Sequence, residues 1–310
     1  MAGEGGDPGA GGDVIFIVVI IIVIASFWFL AGGPERSDVS LLIRPPSSPQ
    51  IGETVTEGDD SSVRSDVSGI TSEIKKVEDA ITTLKKIPSS SQRGKVDIYS
   101  VSQAEETKPE QEYIVLKANK DSDGPLSITG WKLQSSLTGR TVEIDQGAAT
   151  LVLGQQNLGA IFLKPGETAH IISGRSPMGS SFRTNICSGY LGQFQSFTPN
   201  LRNECPLPKN ETTYAGSQDL GDACYDELEN MQRCRIELNP PATLGESCRA
   251  FIAENLTYNG CVKNHREESG FFARSEWYIY LNQSQEVWKE KFEVVKLLDQ
   301  AGNLVDSATY

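Results

Sequence analysis

Histidine is almost missing from this chain. Two occur in 310 residues, His170 and His265, and no nucleophile–base–orienter set can be assembled around them. Basic charge is also short: 28 Lys and Arg stand against 41 Asp and Glu, a formal net charge of -13. Neutralising a phosphate backbone needs clustered Lys and Arg. Nucleic acid is therefore excluded as a partner, docking on anionic lipid is disfavoured, and the acidity is read as solubility. Cysteine is absent outside one stretch: Cys187, Cys205, Cys224, Cys234, Cys248 and Cys261 are the full set. None of the spacings Cys-x9-Cys or Cys-x12-Cys, with His265 nearby, matches the two to four residues that structural zinc sites prefer. No metal and no cofactor is expected. An even, clustered set downstream of a hydrophobic segment reads as disulfides formed in an oxidising compartment.

That hydrophobic segment is the only long apolar run. Residues 1–13 are Gly-rich and acidic and are expected to be a disordered tail. Val14 to Ala31 is almost continuously apolar, with Trp28 placed as an aromatic-belt residue. At 1.5 Å per residue it spans about 27 Å, close to the hydrocarbon core. No basic region precedes it and no small-x-small cleavage site follows, so a retained single-pass anchor is preferred to a signal peptide. Arg36 and Arg44 after the span weakly favour a cytoplasmic C-terminus. The cysteines favour the opposite and outweigh so few charges, which places the C-terminal domain outside the cell membrane.

Residues 32–60 are Pro-, Ser- and acid-rich and read as a linker. Over 61–88 a heptad pattern follows. Val67, Ile74 and Ile81 take a positions, and Val63, Ile70, Val77 and Leu84 take d positions. Pro88 stops the helix. Ile at both positions favours a trimer or higher homo-oligomer, and Glu73 facing Glu78 gives a dimer no support. The competing reading is an amphipathic helix packed on its own domain. Residues 89–94 read as a second linker.

From residue 95 the pattern changes to short alternating strands. Lys95–Val101 is the first. Glu112 opens Tyr113-Ile114-Val115-Leu116-Lys117-Ala118-Asn119, in which Tyr113 and Val115 face one way and Ile114 and Leu116 the other. Asp123-Gly124-Pro125 forces a turn, and Leu126, Ile128 and Gly130-Trp131 return. Trp131 is expected in the core. Strands are also expected at Thr141–Ile144, Thr150–Leu153, Ala160–Leu163 and Thr168–Ile172. The Glu-Tyr strand, the Leu-x-x-x-Gly-Trp-x-Leu return, the Leu163-Lys164-Pro165-Gly166-Glu167 edge and the closing segments Trp277–Leu281 and Val294–Asp306 together resemble the lamin-tail domain. The resemblance implies an all-β immunoglobulin-like sandwich over 95–310, interrupted by an insertion at about 187–270 that does not fit the family.

Within the insertion, Cys224–Cys234 and Cys248–Leu256 read as an α-helical hairpin broken by Asn239-Pro240-Pro241. Cysteines ten positions apart on one helix stand about 15 Å apart, beyond the roughly 7 Å that a disulfide tolerates. A nested solution pairs Cys234 with Cys248, Cys224 with Cys261, and Cys187 with Cys205, one of 15 pairings open in principle.

Other candidates weigh less. The acidic run from Asn119 to Gly124 lacks an acid twelve positions from its start and is a solvated turn. His265 sits in the charge run with Arg266, Glu267 and Glu268, and the last two would be the carboxylates of a hydrolase if there were one. Asn210, Asn255 and Asn282 lie in glycosylation sequons. Aromatics gather around the insertion: Phe182, Tyr190, Phe194 and Phe197 before it, Phe271, Phe272, Trp277, Tyr278 and Tyr280 after it. Most are expected to pack, and some to offer a binding face. The function expected is a non-catalytic, membrane-anchored surface module that binds or adheres to an unknown surface protein or glycan. A structural subunit of an envelope assembly is the alternative. The lamin-tail resemblance alone constrains function little.

Overall fold

The computed structural model describes residues 60–102, 108–155, 157–216, 219–288 and 293–310. The tail, the apolar span at 14–31 and the first linker up to residue 59 lie outside them. Among the described residues no helix is long and apolar enough to cross a membrane.

Helix α1 runs Asp60–Leu84. Along it Ile70, Ile74 and Ile81 are solvent-exposed, at 54%, 52% and 41%, while Val77 and Leu84 are half-buried. The side chains of Val63 and Val67 are outside the description. Residues 89–94, expected as a linker, are tied down. Leu304 donates its N–H to the Pro88 carbonyl at 2.8 Å and Ser90 donates to the Leu304 carbonyl at 2.9 Å. The Ser90 hydroxyl donates to Asp299 at 2.6 Å.

Thirteen strands follow among the described residues: β1 Val96–Ser102, β2 Tyr113–Ala118, β3 Leu126–Ser127, β4 Lys132–Ser135, β5 Thr141–Glu143, β6 Gly147–Ala148, β7 Leu158–Gly159, β8 Phe162–Leu163, β9 Thr168–Ile172, β10 Ser181–Arg183, β11 Glu276–Tyr280, β12 Val294–Leu298 and β13 Leu304–Thr309. They form a seven-stranded sheet in the order β1-β2-β9-β11-β10-β6-β7, a four-stranded sheet β13-β12-β4-β5 and the small pair β3-β8. Thr150–Leu153 is not a strand; Leu151 is buried there instead. Of the expected strand at Ala160–Leu163 only β8, Phe162–Leu163, forms, paired with β3; β7 lies just before it and joins the seven-stranded sheet. The two larger sheets share one core. Ile114, Leu116, Ala169, Ile171, Trp277 and Ile279 of the first meet Leu133, Val142, Val295, Leu297 and Val305 of the second. Trp131 joins them, 4% exposed. Gly130 before it has φ +79, a left-handed conformation that favours glycine, and the Gln300 side chain packs against it.

The alternation read from Tyr113 to Leu116 holds, but over the central strands β9, β11 and β10 the opposite face of this sheet is not open to water. Residues Ile172, Phe182, Tyr278 and Tyr280 point the other way into a second core built with the insertion. A strand buried on both faces reads as a continuous apolar run, which is how Trp277–Leu281 is written.

Two glutamates in the segments that carry the lamin-tail resemblance are buried anchors. Glu112, 2% exposed, accepts the backbone N–H groups of Val287 and Trp288 at 2.9 and 3.0 Å. Glu167, after the Pro-Gly turn, accepts the Lys164 N–H at 2.9 Å and pairs with Arg183 at 2.6 Å, both side chains at 10% exposure or less. The Arg183 guanidinium also lies over the Phe272 ring, 4.4 Å from its centroid. Breaking a buried ion pair strands a charge. Arg183→Ala is therefore expected to cost about 3–5 kcal/mol in urea unfolding, and Glu167→Gln in the Arg183→Ala background should recover part of that loss. A loss under 1 kcal/mol would show that the pair is dispensable.

Candidate functional site

The insertion leaves the sheet at the end of β10 and returns at β11, two strands that are antiparallel neighbours. It is a long loop between adjacent strands, closed on itself by cross-links. A short 3-10 turn covers Ser188–Gln193 and another covers Pro208–Tyr214. Three helices follow: α2 Asp222–Asn230, α3 Glu246–Asn255 and α4 Tyr258–His265.

The disulfides join Cys187 to Cys261, Cys205 to Cys234 and Cys224 to Cys248, with Cα separations of 5.8, 5.2 and 5.7 Å. All three proposed pairs, Cys187–Cys205, Cys224–Cys261 and Cys234–Cys248, are thereby corrected. The nested scheme assumed a helix running through Cys234. Instead α2 stops at Asn230 and Cys234 takes φ +58, which sends it away from the hairpin and back to Cys205. That leaves Cys224 facing Cys248 across the hairpin, in a small core with Leu228, Phe251 and Ile252. Cys261 lies on α4, a helix the sequence reading did not include. Its signal was Thr257, whose hydroxyl caps it by accepting the Gly260 N–H at 3.1 Å.

Cys205–Cys234 lies under a groove. Gly189 passes so close that a Cβ would sit 2.2 Å from Cys234 Sγ and 2.9 Å from the Arg202 carbonyl. The Gln193 side chain clamps the far wall. It accepts the Ile236 N–H at 2.6 Å and donates to the Ile236 carbonyl at 3.0 Å. The 232–236 segment is thus tied covalently to Cys205 and by the Gln193 hydrogen bonds to the first 3-10 turn. The groove between them has a volume of about 520 Å³. A more apolar recess of about 390 Å³ adjoins it, lined by Leu153, Met178, Leu191, Phe194 and Ile236, and Gln195 lines both.

Comparison with known proteins supplies no relative: no family model matches the chain, and no curated protein matches it.

The aromatics expected around the insertion divide clearly. Phe182 stacks on Tyr278 with centroids 5.6 Å apart, and Phe197 meets Tyr278 edge-on at 6.4 Å. Tyr190, Phe271, Trp277 and Tyr280 are buried as well, and Phe272 is partly buried. Phe194, 55% exposed, is the one of this group left on the surface.

His265 is not part of an exposed charge run. It is buried, with Nε2 2.7 Å from Glu211 and Nδ1 2.9 Å from Glu268. The Tyr214 hydroxyl donates to the same Glu268 oxygen at 2.7 Å. Burial works against the charged imidazole, but the hydrogen bonds from Glu268 and Glu211 outweigh it and hold the His265 pKa above its ordinary value. Glu268 is held below the usual carboxylate range, first by Tyr214 and then by His265. Each ring nitrogen is engaged by a carboxylate, so the cluster stitches α4 to the second 3-10 turn. Glu267 pairs with Arg266 at 3.2 Å on the surface. His170 is also buried and lies 3.3 Å from Glu276. Of the sequon asparagines, Asn210 and Asn282 are exposed, while Asn255 is half-buried and spends its amide on the Phe251 carbonyl at 3.0 Å. Among the described residues no group of three or more metal-ligating side chains comes together.

The cluster has a definite pH signature. A raised histidine contributes stability below its unfolded value of 6.5, lost as pH rises through the folded value. A depressed glutamate contributes above 4.5, lost as pH falls through its folded value. His265→Gln should therefore cost about 3 kcal/mol between those two pH values, and the gap to the unmodified chain should narrow above pH 6.5. Urea midpoints across the range, with disulfides intact, measure it; a gap that widens as pH rises above 6.5 would contradict the assignment.

Proposed function

We propose that this chain is a non-catalytic, membrane-anchored cell-surface module for binding or adhesion. In this reading residues 14–31 are a single-pass anchor, residues 61–88 an oligomeric coiled-coil stalk, and residues 95–310 a lamin-tail-like immunoglobulin-type domain held outside the membrane. The observation that carries it is the open groove on the insertion. Its floor and wall are held by Cys205–Cys234 and the Gln193 clamp, ties made within the protein itself. A preformed recess loses little ordering entropy when it is filled. Disulfides that hold such a recess persist outside the reducing cytosol.

Two experiments test the reading. In cells expressing the full chain, an impermeant maleimide should reach all six cysteines from outside, and only after reduction. Labelling without reductant from the cytoplasmic side overturns the topology and the module with it. Vesicles carrying the full chain should then be retained on immobilised envelope material, and reductant should abolish retention.

The exposed Ile70, Ile74 and Ile81 support the stalk, since an a/d seam buries such residues only against other chains. A trimer is favoured. Cross-linking should give trimers for the natural chain and monomers for Ile70→Asp with Ile74→Asp. Trimers that persist in this variant rule the stalk out.

A further inference from the structure

The groove on the insertion differs from the rest of the molecule in charge. The chain carries 41 acidic residues, yet none lines this groove, and Arg233 and Arg235 both do. The other arginines close to it are committed: Arg202 to Glu276 and Arg274 to Glu204. Arg233 and Arg235 are exposed and make no ion pair among the described residues. They flank Cys234, whose φ of +58 and bond to Cys205 fix the turn that carries them. Gln195, Ser196, Asn200, Asn203 and Gln232 complete the polar lining, and their side chains form no hydrogen bond with the protein among the described residues.

These groups specify a ligand. Each amide or hydroxyl side chain can donate and accept at once, as a sugar hydroxyl does. The two guanidiniums only donate, and their fork matches an acceptor-only carboxylate. Phe194, beside the groove and 55% exposed, offers an apolar face for the C–H side of a sugar ring. We propose that this groove binds a carboxylated glycan, a chain of uronic-acid type, with Arg233 and Arg235 reading the carboxylates and the amides reading the hydroxyls. The inference rests on the binding-module reading and names its ligand class.

The test uses the full chain in lipid nanodiscs, titrated calorimetrically with hexagalacturonate and with its hexamethyl ester, which keeps every hydroxyl and removes the charge. Binding of the acid is expected, at least tenfold weaker for the ester, and weakening as salt is raised. Arg233→Ala with Arg235→Ala should lose at least tenfold, while Arg249→Ala on α3 should not change binding. Intact disulfides by mass and an unchanged melting curve show that each variant is folded. Equal binding of acid and ester, or an undiminished double variant, overturns the role of the arginines. Hexaglutamate binding as tightly as hexagalacturonate overturns the sugar half. If neither oligosaccharide binds while vesicles are still retained on envelope material, this inference fails and the module reading stands. Loss of retention by the unmodified chain removes the module reading itself.

Discussion

Strand β11 has no side that faces water, and much of the structure follows from that. It pairs in parallel with β9 and antiparallel with β10. Its odd residues, Trp277 and Ile279, enter the core between the sheets, and its even residues, Tyr278 and Tyr280, enter the second core. Burying a large ring is worth on the order of 2 kcal/mol, so an uncovered outer face would leave several such contributions unmade. The insertion between β10 and β11 is that cover. It begins and ends on the strands whose outer residues it buries.

A cover of this kind is weak by itself. Its helices are 8 to 10 residues long, too short to be stable alone, and the hairpin core around Leu228 and Phe251 is small. Three disulfides at roughly 2–4 kcal/mol each supply what the hairpin's own packing lacks. They are distributed accordingly. Cys224–Cys248 holds the distal hairpin, whereas the sulfurs of Cys187, Cys261, Cys205 and Cys234 lie in the core that the insertion shares with the sheet. The groove is a consequence of this bracing. Where the 3-10 turn at Gly189 slides against the Cys205–Cys234 bond, the chain on either side is left standing apart.

Buried acids do the matching work within the sandwich. Glu112 ties Val287 and Trp288, Glu167 ties its own turn and Arg183, and Glu293 accepts from the hydroxyl of Ser135 at 2.7 Å. A net negative chain thus spends several carboxylates internally as acceptors for loops that lack a strand partner.

The β character, the inward facing of Ile114 and Leu116, the burial of Trp131 and the confinement of the cross-links to one insertion were legible from residue order, because strand periodicity and cysteine parity are local or countable. Gly130-Trp131 and Leu163–Glu167 stood out in the sequence through the lamin-tail resemblance, although the roles of Glu112 and Glu167 did not, since Val287, Trp288 and Arg183 lie far along the chain. His265 looked exposed because its neighbours Arg266 and Glu267 are; its real partner, Glu211, is 54 positions away. The cysteine pairing and the groove were not legible. Both hang on two nearby backbone choices, the extended Met231 that ends α2 and the left-handed Cys234 that returns the chain to Cys205 and Gly189. Sequence alone determined the kinds of structure present and where the cross-links gather. The tertiary fold decided which cysteines meet, which acids are buried and where two arginines stand without an ion-pair partner among the described residues, because those outcomes depend on contacts between segments whose spacing no local pattern records.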